Sequence, residues 1–178
     1  MTAKELMLAE AFRKDAVSGL QKYLPRIVRC LQLLSEEEIW WRPNEASNSA
    51  GNIVLHLCGN IRQWICHGVG GARDVRNRPE EFTDRSELTK NNILSMLRSA
   101  VREADTVMEK LAPQKLTEPR RIQGFDTTIL AAIFDSVAHF RGHSQEIIHM
   151  TREILGEKYK FDFVPQGTEQ ESAGAGRG

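Results

Sequence analysis

Apolar residues recur at Leu20, Leu24, Ile27, Val28, Leu31 and Leu34, the three-and-four spacing of one helix face. Together with a Thr2/Glu5 pair at capping-box spacing, this predicts a first helix over about residues 3–34. Pro25 lies inside the pattern. It lacks a backbone N–H and is expected to kink the helix near residues 21–24. Ser35 and Glu38 repeat the capping-box spacing and predict a short turn ending at Pro43.

A second helix is expected over residues 49–67, with Ile53, Leu57, Ile61 and Trp64 on its apolar face and Gly68, Gly70 and Gly71 ending it. Residues 72–86 are polar and include Pro79; they read as a surface loop, a possible lid over a site. Ile93, Leu94, Leu97, Val101, Val107, Met108 and Leu111 mark a third helix over residues 89–111, stopped by Pro113. A polar connection with Pro119 and Gly124 follows. The fourth helix should start at a cap between Asp126 and Thr128 and run to Leu155, with Gly156 as its stop. No strand-like alternation is evident. The pattern predicts an all-α four-helix bundle over residues 1–165, with a tail, 166–178, in which TEQESAGAGRG lacks core-forming residues and should be disordered.

Composition narrows what such a bundle does. The chain has 178 residues, with 24 Lys plus Arg against 24 Asp plus Glu, so no basic excess is available for a phosphate backbone. Nucleic acid and membrane surfaces are therefore not expected as partners. The first residues carry acids and lack a signal peptide's apolar stretch, and no run suits a membrane span. The expected compartment is the cytoplasm. Cys30, Cys58 and Cys66 are odd in number and lack a CxxC spacing, so they read as reduced, partly buried thiols.

Histidines are the candidate chemistry. His139 and His143 stand four apart, about 40° from each other around the fourth helix. They border the apolar face of Ile129, Ile133, Val137, Phe140, Ile147 and Ile154. His56 borders the apolar face of the second helix in a polar stripe with Ser49, Asn52, Asn60, Gln63 and His67. If the two borders meet, three imidazoles face one divalent cation and leave positions open for water or substrate. Glu146, one turn from His143, reads first as a surface carboxylate, with orienting a group or accepting a proton as the alternative. Asn60 and Gln63 are candidates to support the ligands. His67 at a helix end and His149, turned away, are expected outside the site.

These motifs resemble the DinB/YfiT-like family. WWRPNEASNSAGNIVLHLCGNIRQW, residues 40–64, looks like the signature in which a W-x-P element and a polar loop precede the first metal histidine. AHFRGHSQEIIHMTREILG, residues 138–156, looks like the final-helix signature with its histidine pair. The RP-x-EF stretch between them is in keeping, and the resemblance covers roughly residues 6–156. It implies a four-helix bundle with His56, His139 and His143 as metal ligands, zinc or nickel as the cation, and often a homodimer. It also implies thiol-dependent S-transfer or isomerisation with a low-molecular-weight thiol, or a metal-dependent hydrolase. Many members carry Arg-Gly-Gln after the last histidine, whereas this chain has Ser144-Gln145-Glu146. A non-catalytic metal-binding or stress-response module and a metal-free helical scaffold are the readings that compete with an enzyme.

Overall fold

The computed structural model describes residues 2–83 and 87–161. The predicted tail and the boundary at residue 165 lie outside the described residues. Helix α1, Ala3–Leu33, opens with the Thr2/Glu5 capping box and continues through Pro25. Helix α2, Glu36–Trp40, opens with the Ser35/Glu38 box. Helix α3, Ala50–Ile61, and helix α4, Lys90–Lys110, are capped in the same way by Ser49/Asn52 and Thr89/Asn92. Helix α5, Ile129–Leu155, is capped by Thr128, whose hydroxyl accepts from the Ala131 N–H. In each case a side chain satisfies backbone donors that the helix cannot.

The four long helices form the expected bundle. Helix α1 packs against α4 and α5, and α3 packs against the same two. Leu20, Ile27, Leu31, Ile53, Leu57, Ile61, Ile93, Leu97, Ile133 and Phe140 fill the interior and are essentially inaccessible to solvent. Their burial removes apolar area from water, the main driving force for the bundle. Among the described residues no helix is long and apolar enough to cross a membrane.

Two features depart from the sequence-based expectation. The second helix does not keep α-helical spacing to its end: Arg62–His67 is a π-helical turn, with Gly68 N–H donating to the Gln63 carbonyl at 3.0 Å. The inserted residue re-aims the side chains that follow. The connection before α5 contains a hairpin rather than only a polar loop. Strand β1, Pro119–Ile122, pairs antiparallel with β2, Phe125–Thr128. Gln123 and Gly124 turn the chain with φ of 54° and 85°, the two positive values of a tight hairpin turn. Ile122 of this hairpin seats on Gly68, where a Cβ would come within 2.3 Å of the isoleucine side chain. That close approach brings the hairpin tip to the seam between α3 and α5.

Candidate metal centre

His56 comes from the middle of α3, and His139 and His143 from successive turns of α5. The fold closes the seam so that the three rings meet. Ring centroids lie 4.9 Å (His56–His139), 5.2 Å (His56–His143) and 4.4 Å (His139–His143) apart, with steep angles between planes. One nitrogen from each ring falls within 4.8 Å of the other two, and Nε2 of His139 is 2.9 Å from Nε2 of His56. A cation held at about 2.0–2.1 Å from tetrahedral imidazole nitrogens needs separations near 3.3 Å. The observed spacing reaches that with small ring movements.

The outward nitrogens are already engaged. His56 Nδ1 lies 2.9 Å from Glu81 Oε2, and His143 Nδ1 lies 2.7 Å from Glu146 Oε2. When each Nδ1 carries its proton toward a carboxylate, each Nε2 presents a lone pair inward. This is how carboxylates orient metal-binding histidines. His139 is half-buried; burial, then the neighbouring His143 and His56 and the positive Arg76 and Arg78, push its pKa down to about 4. It is therefore a neutral donor at pH 7. The chemistry and placement of the three donors fit a divalent cation.

Glu81 reaches His56 from the strap of residues 72–83, which folds across α3 and the π-turn. Arg76 clamps Glu81 with Nε–Oε1 at 2.7 Å and Nη2–Oε2 at 2.9 Å, and both side chains are buried. Burial pushes the Glu81 carboxyl up, but hydrogen bonds from Arg76 and His56 outweigh it and hold it below the usual carboxylate range. Gln63 accepts from Arg76 at 2.9 Å and donates to Asp74 at 2.8 Å. Asn52 donates to the carbonyls of Glu81 and Thr83 at 2.9 and 2.8 Å. Gly59 leaves the space the clamp needs, since a Cβ there would lie 1.9 Å from Glu81 Oε1. Phe82 packs its ring 5.1 Å from that of His56.

The remaining expectations sort cleanly. Gln63 supports the strap, and Asn60 accepts from Ser136 Oγ at 2.9 Å across the α3–α5 seam. His67 turns away to the Ala72 carbonyl at 2.7 Å, and His149 is exposed beside Glu153. Ser144, the residue after His143, is buried and donates its hydroxyl to the Phe140 carbonyl at 2.7 Å. Residues 72–83 serve as part of the site's wall, and Arg76 and Glu81 are the functional candidates that sequence reasoning missed. Glu81 belongs to the RP-x-EF stretch, which was the available signal, but nothing local says which histidine it meets.

A cavity of about 290 Å³ opens beside His56 and His139. Its wall takes Asn60 from α3, Trp64 from the π-turn, Arg76 and Arg78 from the strap, Gln123 from the hairpin tip, and Asp135 and Ser136 from α5. The cluster thus combines a group of donors able to hold a cation with an adjoining space for a small molecule.

Comparison with known proteins agrees with this architecture. Residues 8–168 match the family described as Protein of unknown function (DUF1572). A DinB-like protein from Bacillus cereus is similar in structure, with TM-score 0.64, 12% identity, and coverage of 79% of this chain and 91% of that one. A DinB-like protein from Bacillus subtilis gives TM-score 0.62 and 17% identity, covering 83% and 96%. A mycothiol-dependent maleylpyruvate isomerase gives TM-score 0.60 and 13% identity; the match spans 76% of this chain but 60% of that longer protein. No curated protein matches the sequence. At these identities the structural likeness carries the fold, and the family match covers nearly the whole described chain. The chain belongs to the DUF1572 family, and its four-helix-bundle fold is the one seen in the DinB-like structures.

Proposed function

We propose that the protein binds one divalent cation, zinc or nickel, through His56, His139 and His143, and acts as a metal-dependent enzyme of the thiol S-transferase type. The observation that carries the metal is the convergence of three imidazoles, two of them backed by carboxylates. Support for thiol chemistry comes from the fold shared with a mycothiol-dependent isomerase. A cation with three neutral protein ligands keeps a full positive charge and lowers the pKa of a thiol or water that coordinates it.

The chain's own residues do the rest. Glu81 and Glu146 fix the rings of His56 and His143. Arg76 keeps Glu81 ionised and in place, so the His56 tautomer is set before any ligand arrives. Phe82 and Trp64 cover the approach with aromatic surface and limit water. A low-molecular-weight thiol entering the adjoining cavity meets its sulfur's activating centre at the histidines and its remaining atoms against Asn60, Arg78 and Gln123.

The test is turnover. Protein loaded with zinc or nickel should conjugate a low-molecular-weight thiol to an electrophile, and the rate should vanish with chelator and in His139→Ala. A stoichiometrically metallated protein inert over a broad panel of thiols and electrophiles, and of hydrolysable esters, would replace this reading with a non-catalytic metal-binding module. The homodimer expected from the family is checked by sedimentation.

A further inference from the structure

The cavity beside the histidines has a definite polarity. Asn60 lines the space, and because its Oδ1 is taken by the hydroxyl of Ser136, its amide N–H groups are the part of the side chain left to donate. Arg78 stacks its guanidinium 5.0 Å over the Phe82 ring. Among the described residues it has no carboxylate within ion-pair distance. Stacking fixes the plane of the guanidinium while leaving its N–H edge free. Arg76, on the same wall, differs because Glu81 neutralises it. Gln123 holds a positive φ of 54° at the hairpin tip, an unfavourable conformation for a residue with a side chain. Gln123 lines the same cavity. The one opposing group is Asp135, an exposed carboxylate at the rim.

We propose that this cavity is a carboxylate-recognition subsite: the small molecule that works at the histidine cluster carries a carboxylate, held by Arg78 and the Asn60 amide. The inference deepens the metal-site reading and rests on it. The guanidinium edge matches two carboxylate oxygens, and the Asn60 NH2 supplies a third donor. Asp135, exposed and lining the same cavity, disfavours a second negative group there, which favours a monoanion. A ligand with an ammonium group in the same place would face Arg78 and the cation together.

The experiment uses the full chain loaded with cobalt(II), whose visible spectrum reports a sulfur ligand. Mercaptoacetate, mercaptoethanol and mercaptoethylamine are titrated in parallel, because they share the thiol and differ in the far end. A charge-assisted contact of this kind should favour mercaptoacetate by about tenfold or more over the other two. Arg78→Gln removes an exposed side chain that stacks on the half-buried Phe82 ring and has no ion pair among the described residues, so the fold and cobalt uptake should persist. In that variant the preference should fall by about tenfold while mercaptoethanol affinity stays within about twofold. Asp135→Asn should strengthen mercaptoacetate binding. Equal affinities for the three thiols, or a preference that survives Arg78→Gln, overturn the subsite while leaving the metal reading intact. Failure to take up cobalt overturns both.

Discussion

The two carboxylate–histidine pairs at the site are built very differently. His56 meets Glu81 from a distant strap, and both are buried, with side-chain exposures of 10% and 8%. Arg76 clamps that carboxylate, Gln63 holds Arg76, Asn52 holds the strap by the Glu81 and Thr83 carbonyls, and Gly59 leaves the space. His143 meets Glu146 three residues on along the same helix, at exposures of 26% and 48%. Water can replace Glu146 at small cost, and no arginine clamps it among the described residues. The first pair is a product of tertiary structure and stiffens one histidine of the cluster. The second is a local helix contact and leaves another histidine adjustable. A site with one rigid and one yielding side can hold a cation while its coordination changes.

The comparison breaks first at Glu81. Glu81→Ala leaves Arg76 buried without its partner, a change that costs about 3–5 kcal/mol, and should lower cation affinity by about 10–100-fold. Chemical denaturation and cation titration measure the two effects. If Glu81→Ala is no worse than Glu146→Ala, the asymmetry is absent. Gly59→Ala comes next: the methyl group collides with Glu81 Oε1, so the strap should lift, at a cost of about 1–3 kcal/mol for overpacking. Faster amide exchange across residues 72–83 would show the displacement, with the helices unchanged.

A third buried carboxylate sharpens the role of Arg76. Among the described residues, Asp105 on α4 hydrogen-bonds only to Gln21, and its Oδ1 is buried without a partner. Burial raises its pKa, with the Gln21 bond opposing and Glu109 adding to the rise. Glu81, equally buried but clamped by arginine, moves the other way. A carboxyl whose folded pKa is raised favours the fold below its unfolded value, and that contribution is lost as pH rises through the folded pKa. Asp105→Asn should therefore stabilise the protein at pH 7, on the order of 1 kcal/mol, with the gain shrinking as pH falls toward 4. The smallest effect belongs to Glu146→Gln. It should change stability by less than about 0.5 kcal/mol, as exposed pairs do, and weaken cation binding only a few-fold.

The same contrast explains what could be read from the sequence. Periodicity at Leu20 to Leu34 and the four-residue step from His139 to His143 are local facts, so the bundle, the caps and two of the three clustered histidines were legible. Glu146 was legible for the same reason. The hairpin was not, because Pro119, Arg120 and Arg121 break apolar alternation and only Ile122 is buried. The π-turn escaped because Gln63 to His67 suits an α-helix equally well. Glu81 and Arg76 lie in a stretch that looks like solvent-exposed loop, since 25 residues separate Glu81 from His56. Only the packed strap turns their charges inward.

The central claim is that three histidines hold one divalent cation. Tag-free protein should take up one equivalent of cobalt(II), and X-ray absorption should find three imidazole nitrogens at about 2.0–2.1 Å. His139→Ala should lose most of that uptake, together with the thermal stabilisation that cation binding confers. Uptake below about a tenth of an equivalent, or equal uptake and stability in His139→Ala, would contradict the account, since binding at a real site couples to folding.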